Sequence, residues 1–394
     1  MGVLLQGIEM QQYMRGSTRD YIKAKRYRFG FILSTTIGNK THYLNLRKYA
    51  EKDGEVDFVW APVNHYTAPD FVTPLRVLPE PLFMRARVLQ QAHPVLRCLN
   101  TFDAVMIHLF EAEVLCSLRS YFPHRAKFIS STDEAPMVDR DNYPLYPNDL
   151  LKPAWRQQFR LALDRWRVGR MDGFVPFSDW AGNILVKDCG INPQKVHPIH
   201  VGVDLESWRP EPRNDQLTSS PKILFVGSDF QRKGGTLLLD VFNSRFKDVA
   251  QLHIVSKQAP QDLPPNVYVH SGFEPNDQHL IDLYKQVDLV VVPTTADLGP
   301  LWVFLEAMAM ELPIVGTNTG SNTELVRHNE TGFVVKIGDP MELSSAIHEL
   351  LVNRNLRLQM GARGRRLVEA RYSASVNVPR ILQGMKDTAD APRV

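Results

Sequence analysis

Short apolar runs alternate with longer amphipathic stretches through most of the chain. The first clear run is FGFILS at 29–34, and a turn containing Gly38 separates it from the helical pattern KTHYLNLRKYAEK. Runs of four to eight apolar residues that alternate with helices indicate buried parallel strands with helices on both faces. The other strand-like runs of the first half are DFVWAPV (57–63), DAVMIHLF (103–110), KFISS (127–131), GFVPFS (173–178) and VHPIHV (196–201).

The alternation restarts after the polar segment RPEPRNDQLTSSPK at 209–222, which contains three prolines and is typical of a linker. Helical patterns at TLLLDVFNSRF, 277–286 and WVFLEAMAME separate some of the new strand-like runs. These runs are KILFVGS (222–228), AQLHIVS (250–256), NVYVHSGF (266–273), DLVVVPT (288–294), PIVGTN (313–318) and FVVKI (333–337). We therefore predict an α/β protein with two Rossmann-like, doubly wound parallel-sheet domains that face each other across a cleft.

The composition changes define the predicted domain boundaries. Residues 1–27 have weak periodicity and form an N-terminal extension. Residues 28–208 form the first domain, 209–222 the linker and 223–370 the second domain. We expect residues 371–394 to be a C-terminal helix that packs back on the first domain.

The composition is that of an ordinary globular protein, with 394 residues, 44% apolar and 23% charged. A net charge of +3, with dispersed basic residues, argues against a nucleic-acid partner. The three cysteines, Cys98, Cys116 and Cys189, have no metal-ligand spacing, so we predict neither a disulfide framework nor a zinc site. No apolar run is long enough to span a bilayer and the first residues lack the pattern of a signal peptide, so we expect a cytoplasmic protein.

Four motifs in the second half place polar residues and glycines next to predicted strands. They are FVGSDFQRKGG (225–235), DLGPLWVFLEAMAMELPIV (297–315), GSNTELV (320–326) and TGFVV (331–335), and HVGVDLESWRP (200–210) precedes the linker. In this order they resemble the donor-binding domain of retaining GT-B glycosyltransferases, in particular glycosyltransferase family four, the glycosyl transferases group 1. The first half is similar to that family only in outline.

The resemblance implies a GT-B fold and a retaining transfer of a sugar, with a hexose favoured, from a nucleotide-diphosphate sugar to a hydroxyl acceptor. The nucleotide sugar is then a co-substrate, and the resemblance implies no metal and no other cofactor. The acceptor is a saccharide or a lipid-linked molecule, bound mainly by residues 28–208.

Donor binding is the best-marked part of this resemblance. Lys233 and Gly234 match the family's phosphate-binding lysine and glycine, and they follow the strand-terminal Gly227 by six and seven residues. A loop that opens a helix adds backbone N–H groups and the helix dipole to that attraction. The family has an arginine directly after the glycine, where this chain has Ser228; we expect Arg232 to compensate, because a guanidinium binds two phosphate oxygens at once.

The helix that follows the fourth strand of the second half supplies the next contacts. Glu306 matches the glutamate that accepts hydrogen bonds from the ribose hydroxyls. The family's first glutamate is replaced by Leu298, and Asp297 is the nearest acid that can take its catalytic place. The backbone N–H groups from Leu301 and Trp302 onward are expected to face the diphosphate.

Three further residues have two open interpretations each. Glu324 matches a family glutamate near the sugar, but an acid also favours the start of any helix. Gly38 corresponds to a turn where the backbone approaches the donor, with Lys40 adding a charge, although glycine turns are common in α/β folds. His108 ends a strand on the crevice side, where a catalytic and a structural histidine are equally plausible.

The family's more prominent histidine has no counterpart, because the corresponding segment reads Ser131-Thr132-Asp133. Thr132 or Asp133 would have to take over its contact with the sugar or the acceptor, and Asp133 is a candidate for orienting an acceptor hydroxyl. His108 and Asp297 are the other catalytic candidates.

Two basic, apolar segments leave the membrane question open. They are residues 75–97 and 151–170, and the second carries the helical stripe Trp155, Phe159, Leu163 and Trp166. Such stretches can rest on the inner face of an anionic membrane, but we expect an aromatic stripe of this kind to be core. The alternatives to a transferase are an inactive nucleotide-sugar-binding homologue and a GT-B sugar-nucleotide epimerase, whose acids and histidines the sequence does not supply.

Overall fold

The computed structural model describes residues 26–36, 38–64, 80–121, 124–133, 154–211 and 220–392. Most of the predicted N-terminal extension, residues 212–219 of the linker and the first residues of both basic segments lie outside these ranges. Two parallel sheets form the framework of the described chain. We confirm the predicted fold class: two doubly wound α/β domains, each built on one sheet.

The first sheet has five parallel strands in the order β2-β1-β3-β4-β5. The alternation of side chains along β1 divides the core, because Phe29, Phe31 and Leu33 pack on one face and Ile32 packs on the other. The strands are β1 (Tyr27–Ser34), β2 (Val56–Val63), β3 (Ala104–His108), β4 (Lys127–Thr132) and β5 (Gly173–Pro176). The helices of this half are α1 (Asn39–Ala50), α2 (Glu80–Leu96), α3 (Phe110–Arg119), α4 (Ala154–Val168) and α5 (Asp179–Lys187), with short 3₁₀ turns at Leu99–Thr101 and Pro193–Lys195.

The strand predicted at 196–201 is wrong. Only an isolated bridge joins Val196 to Phe174, and two backbone hydrogen bonds follow β5, from His197 and Ile199. Pro198 lies between those two donors and has no N–H to continue a ladder. The sheet therefore ends at β5, and the chain leaves it toward the second domain.

The second sheet has six parallel strands in the order β11-β10-β9-β6-β7-β8. They are β6 (Lys222–Val226), β7 (Gln251–Val255), β8 (Val267–His270), β9 (Leu289–Val292), β10 (Ile314–Thr317) and β11 (Gly332–Val335). The helices are α6 (Gly235–Arg245), α7 (Gln278–Lys285), α8 (Trp302–Ala309), α9 (Asn322–Leu325), α10 (Pro340–Val352), α11 (Arg354–Arg371) and α12 (Ala374–Asp390). Strands β7 and β8 are added on one side of β6, and β9, β10 and β11 are added on the other side. The strand order therefore changes direction between β6 and β9, and a crevice opens at the carboxyl ends of these two strands.

The last helix belongs to the core of the first domain. On α12, Val378, Ile381, Leu382 and Met385 are buried with the aromatic face of β1. At its start, Val203 and Ser373 form a parallel bridge, so the outgoing and returning chains run side by side. Asp204 attaches this crossing to α1 by accepting hydrogen bonds from Tyr49 and Lys48, both at 2.7 Å.

The aromatic stripe of α4 is not core, contrary to our expectation. Trp155 and Phe159 are 63% and 67% exposed. Near its end α4 is anchored by Val168, which is buried in the apolar core, and by Arg167, which pairs with Glu113 and Asp164. This pairing orients the helix so that its first two aromatic residues lie outside. None of the described helices combines the length and apolar character that crossing a bilayer requires.

Gly202→Ala tests the crossing. A Cβ at Gly202 would lie 2.3 Å from the Cα of Ala374, a backbone atom that cannot move without displacing α12. We expect urea unfolding to show a loss of about 2–4 kcal/mol. Gly384→Ala, on the same α12, is the control, because its Cβ would meet nothing within 4 Å. That control should be neutral or stabilising by up to about 1 kcal/mol, and an equal loss in both variants would contradict the close-approach argument.

Candidate functional site

The turn from β6 into α6 holds Lys233 in a fixed place. A Cβ at Gly227 would lie 2.9 Å from the Cβ of Lys233, so the lysine passes directly over this glycine. Gly234 has φ +80, and a Cβ there would lie 2.1 Å from the carbonyl oxygen of Pro293. Both glycines are therefore required by close packing, which aims the lysine at the crevice between β6 and β9.

Arg232 and Lys233 converge on the carboxylate of Asp297. Arg232 donates from Nη1 at 2.7 Å, and Lys233 donates to both carboxylate oxygens at 2.9 Å. Thr294 adds a hydroxyl donor to the same group. Burial lowers the pKa of Lys233, and Asp297 opposes that shift. Arg232 thus lies beside Lys233. This is the place that it would need in order to compensate for the family arginine that Ser228 replaces.

The start of α8 also faces this crevice. The N–H of Leu301 is already accepted by the side chain of Asn322 at 3.1 Å, so this predicted donor contact is occupied. In the first turn of a helix the N–H groups lack intrahelical acceptors, which leaves those of Trp302 and Val303 for a ligand. The Trp302 side chain extends across to the first domain, where a Cβ at Gly38 would lie 2.8 Å from its Cδ1.

Glu306 lies deeper, at 5% exposure, and accepts a hydrogen bond from the hydroxyl of Tyr284 at 2.9 Å. Burial raises the pKa of Glu306 to about 7, and the tyrosine hydrogen bond only partly offsets this shift. Within the described part of the chain, Glu306 has no cation beside it to lower this pKa, so its carboxyl group is partly protonated at neutral pH. A ligand that donates hydroxyl hydrogen bonds to Glu306 would favour the ionised form.

Leu298 stands where the family's first glutamate would be, and it is part of an apolar contact. It is 4% exposed and clusters with Ala296 against Trp180 and Ile184 of α5. Asp297, one residue earlier, points to the two cations instead. The re-spaced turn therefore does not return an acid to the position of Leu298.

Glu324 joins the two domains. Its carboxylate accepts from the backbone N–H groups of Trp180 at 2.6 Å and Asp179 at 3.3 Å, at the first turn of α5. A carboxylate is favoured at a helix N-terminus, here on the opposite domain. Asp179, His200 and Glu324 have ligand atoms within 4.8 Å of one another, but the guanidinium of Arg371 lies 2.5 Å from Asp179 and already supplies the positive charge.

The first domain contributes His108 and Asp133. The Nδ1 of His108 lies 2.8 Å from the carbonyl oxygen of Ser131, so Nδ1 is the protonated nitrogen and donates. Its Nε2 lies 3.7 Å from Asp133. A Cβ at Gly299 would lie 2.9 Å from the Cβ of Asp133, which brings this pair to the loop that carries Asp297.

The sequence did not indicate His42 or Phe177. His42 lies one helical turn after Gly38, is 5% exposed, and its Nε2 has no hydrogen-bond partner among the described residues. Its ring lies 4.5 Å from Phe177, which stacks on His108 at 5.1 Å. Burial lowers the pKa of His42 to about 3. The i, i+4 spacing from Gly38 was the available signal for this residue.

The predicted site residues therefore form two connected groups. The second domain brings together Gly227, Arg232, Lys233, Gly234 and Asp297. The interdomain group joins Gly38 to Trp302 and His108 to Asp133, with Lys40 paired to Glu274 of the second domain. Glu306 is buried behind the first group, and Glu324 contacts α5. Their roles in catalysis and donor binding stay predictions.

Comparison with known proteins bears first on the second domain. Residues 220–353 match the family model of the glycosyl transferases group 1. The expected resemblance to this group is thereby confirmed for the matched segment, which contains the second-domain group of site residues.

Two relatives and one structure extend the comparison beyond the matched segment. The capsular polysaccharide biosynthesis glycosyltransferase CapM of Staphylococcus aureus is 29% identical over 161 residues, which cover 39% of this chain and 42% of CapM. Phosphatidyl-myo-inositol mannosyltransferase of Mycobacterium leprae is 26% identical over 88% of this chain and 92% of its own length. The structure of Anabaena HepE in complex with UDP-glucose superposes with a TM-score of 0.67 at 16% identity, covering 92% of this chain and all of that one.

These similarities cover different shares of the chain. The similarity to Anabaena HepE shows that the two domains have the GT-B fold. The chain spans about half the length of several curated relatives that it matches, between 42% and 60%. The activity of the whole protein is therefore a proposal, and the geometry of the site supports it.

Glu306→Gln tests the buried carboxylate. Because the folded-state pKa is raised from 4.5 to about 7, the folded protein binds the proton more tightly than the unfolded chain. Wild-type stability should therefore fall as pH rises from about 4.5 to 7, and glutamine removes this loss while keeping an acceptor for Tyr284. We expect the stability gain of the variant to grow between pH 5 and 8 by up to about 3 kcal/mol in urea unfolding. Glu349→Gln, at an exposed position, should show no such trend; a flat difference for Glu306→Gln would contradict the assignment.

Proposed function

We propose that this protein transfers a hexose from a nucleotide-diphosphate sugar to a hydroxyl acceptor with retention of configuration, as a family four glycosyltransferase. The observation that carries the proposal is the paired Arg232 and Lys233 at the carboxyl end of β6, opposite the start of α8. Two partly buried cations and a helix N-terminus are what a diphosphate requires. The UDP-glucose complex of Anabaena HepE, which has the same fold, supports a donor of this class.

The donor would be bound by three contacts in the second domain. Lys233 and Arg232 neutralise the diphosphate, and the N–H groups of Trp302 and Val303 add to them. Glu306 accepts hydrogen bonds from the ribose hydroxyls. These donors take the place of the proton that the buried carboxyl group otherwise holds. The same positive charges stabilise the diphosphate as it leaves with the bonding electrons, so positioning and electrostatics carry the reaction.

The charge of the leaving diphosphate is balanced by protein groups in this proposal. Two cationic side chains and the α8 N-terminus provide positive charge, and we propose that no metal or other cofactor is required for the transfer. Contact between Trp302 and Gly38 brings the domains together over the donor and excludes water, whose attack would hydrolyse it.

The acceptor side would be formed by His108 and Asp133. The carbonyl of Ser131 accepts from the Nδ1 of His108, and the Nε2 of the same ring lies next to Asp133. We propose that these two groups orient the acceptor hydroxyl, while the leaving diphosphate receives its proton. His42, with an unpartnered buried Nε2 beside Phe177, is placed to donate or accept one further hydrogen bond.

A second candidate, a nucleotide-sugar-binding protein without transfer, is favoured by Leu298. The position of the family's first glutamate is apolar and packed against Trp180 and Ile184. Donor binding needs only the second-domain group, so it does not depend on this position. Binding and turnover must therefore be measured separately.

Lys233→Met tests the donor site. We expect UDP, GDP or ADP and their sugars to raise the melting temperature of the wild type, and the variant to bind the preferred one at least thirtyfold more weakly, about 2 kcal/mol. Lys247→Met, at an exposed position between α6 and the start of β7, at the end of the sheet opposite the crevice, is the matched control and should bind like wild type. Transfer is distinguished from binding alone by incubating the protein with a donor that carries a radiolabelled sugar and measuring the label incorporated into an acceptor mixture. Equal donor affinity in both variants would contradict the proposed site.

We further propose a lipid-linked acceptor at an anionic membrane surface. Leu118, Tyr121, Trp155 and Phe159 are exposed on α3, its C-terminal turn and α4, at 49%, 57%, 63% and 67%. Arg156 and Arg160 flank the two α4 aromatics. Exposed aromatic residues among arginines are typical of surfaces that insert at the headgroup level. The lipid acceptor named for the Mycobacterium leprae relative is consistent with this proposal.

Vesicle binding tests the lipid acceptor. Wild-type protein should co-sediment with phosphatidylglycerol vesicles at low salt, and Trp155→Ala with Phe159→Ala should reduce binding about tenfold or more. The double variant Val352→Ala with Leu358→Ala, exposed on the second domain, should bind like wild type. Absence of binding by the wild type would leave a soluble saccharide as the acceptor.

A further inference from the structure

The two cations of the proposed diphosphate site are already bound by a carboxylate of the same chain. Asp297 is 13% exposed, and its Oδ1 accepts from Arg232 at 2.7 Å. Lys233 donates to Oδ1 and Oδ2 at 2.9 Å each, and the hydroxyl of Thr294 donates to Oδ2. Among the described residues, the Asp297 carboxylate therefore accepts every hydrogen bond that the ammonium group of Lys233 donates.

These contacts are those that a phosphate oxygen pair would make. A carboxylate offers two oxygens to a lysine and an arginine in the same geometry as one edge of a phosphate. The site is largely dry, so charge-assisted contacts there are stronger than on the surface. A diphosphate cannot bind the same donor atoms while Asp297 holds them.

The local charge leads to the same result. Arg232 and Lys233 contribute two positive charges, Asp297 contributes one negative charge, and Asp229 pairs with Arg232 at 3.1 Å from the exposed side. The cluster is neutral with both carboxylates in place. An incoming diphosphate meets repulsion from Asp297 at short range instead of a net positive site.

We propose that Asp297 is an internal counter-ion that occupies the diphosphate position in the free protein and must leave Arg232 and Lys233 when a donor binds. Rather than replacing the missing sugar-contacting glutamate, Asp297 keeps two like charges together without ligand and sets the affinity for the diphosphate. This inference rests on the proposed function, because it concerns the same donor site.

Asp297→Asn separates this role from a catalytic or purely supporting one. Asparagine has the same shape and no charge, so it no longer competes for the cations. We expect inorganic pyrophosphate to bind the variant at least tenfold more tightly than wild type by isothermal titration calorimetry. If Asp297 instead supports the cations in the bound state, the variant binds pyrophosphate equally or more weakly, which would overturn the proposal.

Asp229→Asn is the matched control, because it removes the same charge from the other side of Arg232 without touching Lys233. We expect a change of threefold or less. A gain as large as that of Asp297→Asn would show a general charge effect and would also overturn the displacement of Asp297.

Asp297→Ala provides a second test by small-molecule substitution. With the side chain removed, acetate should enter the vacated position and compete with pyrophosphate, raising its apparent Kd at least fivefold at acetate concentrations that leave wild type unchanged at equal ionic strength. No competition in the alanine variant would contradict an anion position at Asp297.

The outcomes are distinguishable from those of the proposed function, since pyrophosphate binding requires no sugar transfer. Tighter binding by Asp297→Asn together with no turnover supports the counter-ion and rejects the transferase. Turnover in the wild type with no gain in the variant supports the transferase and rejects the counter-ion.

Discussion

The close crossing of the two interdomain connections is the constraint on which the rest of this molecule depends. The outgoing chain at Gly202 and the returning chain at Ala374 approach so closely that no side-chain carbon fits between them. Asp204 fastens the crossing to α1, and the buried residues of α12 complete the core of the first domain. Because both connections are anchored in this way, the carboxyl ends of the two sheets face each other.

Facing sheet ends explain why the candidate site has an aromatic and a charged part. Trp302 reaches Gly38, and Leu298 packs on α5, so apolar side chains form part of the contact between the domains. The cations stay within the second domain, where Asp297 neutralises them. Glu324 adds a polar contact, because its carboxylate accepts a backbone hydrogen bond from the first turn of α5. The domains thus meet through apolar packing, helix capping and the ion pair of Lys40 with Glu274, while Arg232 and Lys233 are held by Asp297 within the second domain.

The sequence predicted the strands well wherever an apolar run was bounded by turn residues. It failed at 196–201, where Pro198 interrupts the pattern of backbone donors, and on α4, where Trp155 and Phe159 are exposed. The two errors have different causes: an apolar run does not show where backbone pairing stops, and periodicity identifies an apolar face but does not say whether another element covers it. Arg167, paired with Glu113, decides the orientation of α4, and that pairing joins residues far apart in the chain.

The sequence by itself determined the two-domain α/β fold and the turn that carries Lys233, because local spacing of glycines, strands and helices is sufficient for both. The tertiary structure alone decided what the carboxylates do. Asp297, Glu306 and Glu324 are all acids near the predicted site, yet one pairs with two cations, one is buried against Tyr284 and one caps a helix of the other domain. The role of a carboxylate depends on which donors surround it, and those donors come from segments that only folding brings together.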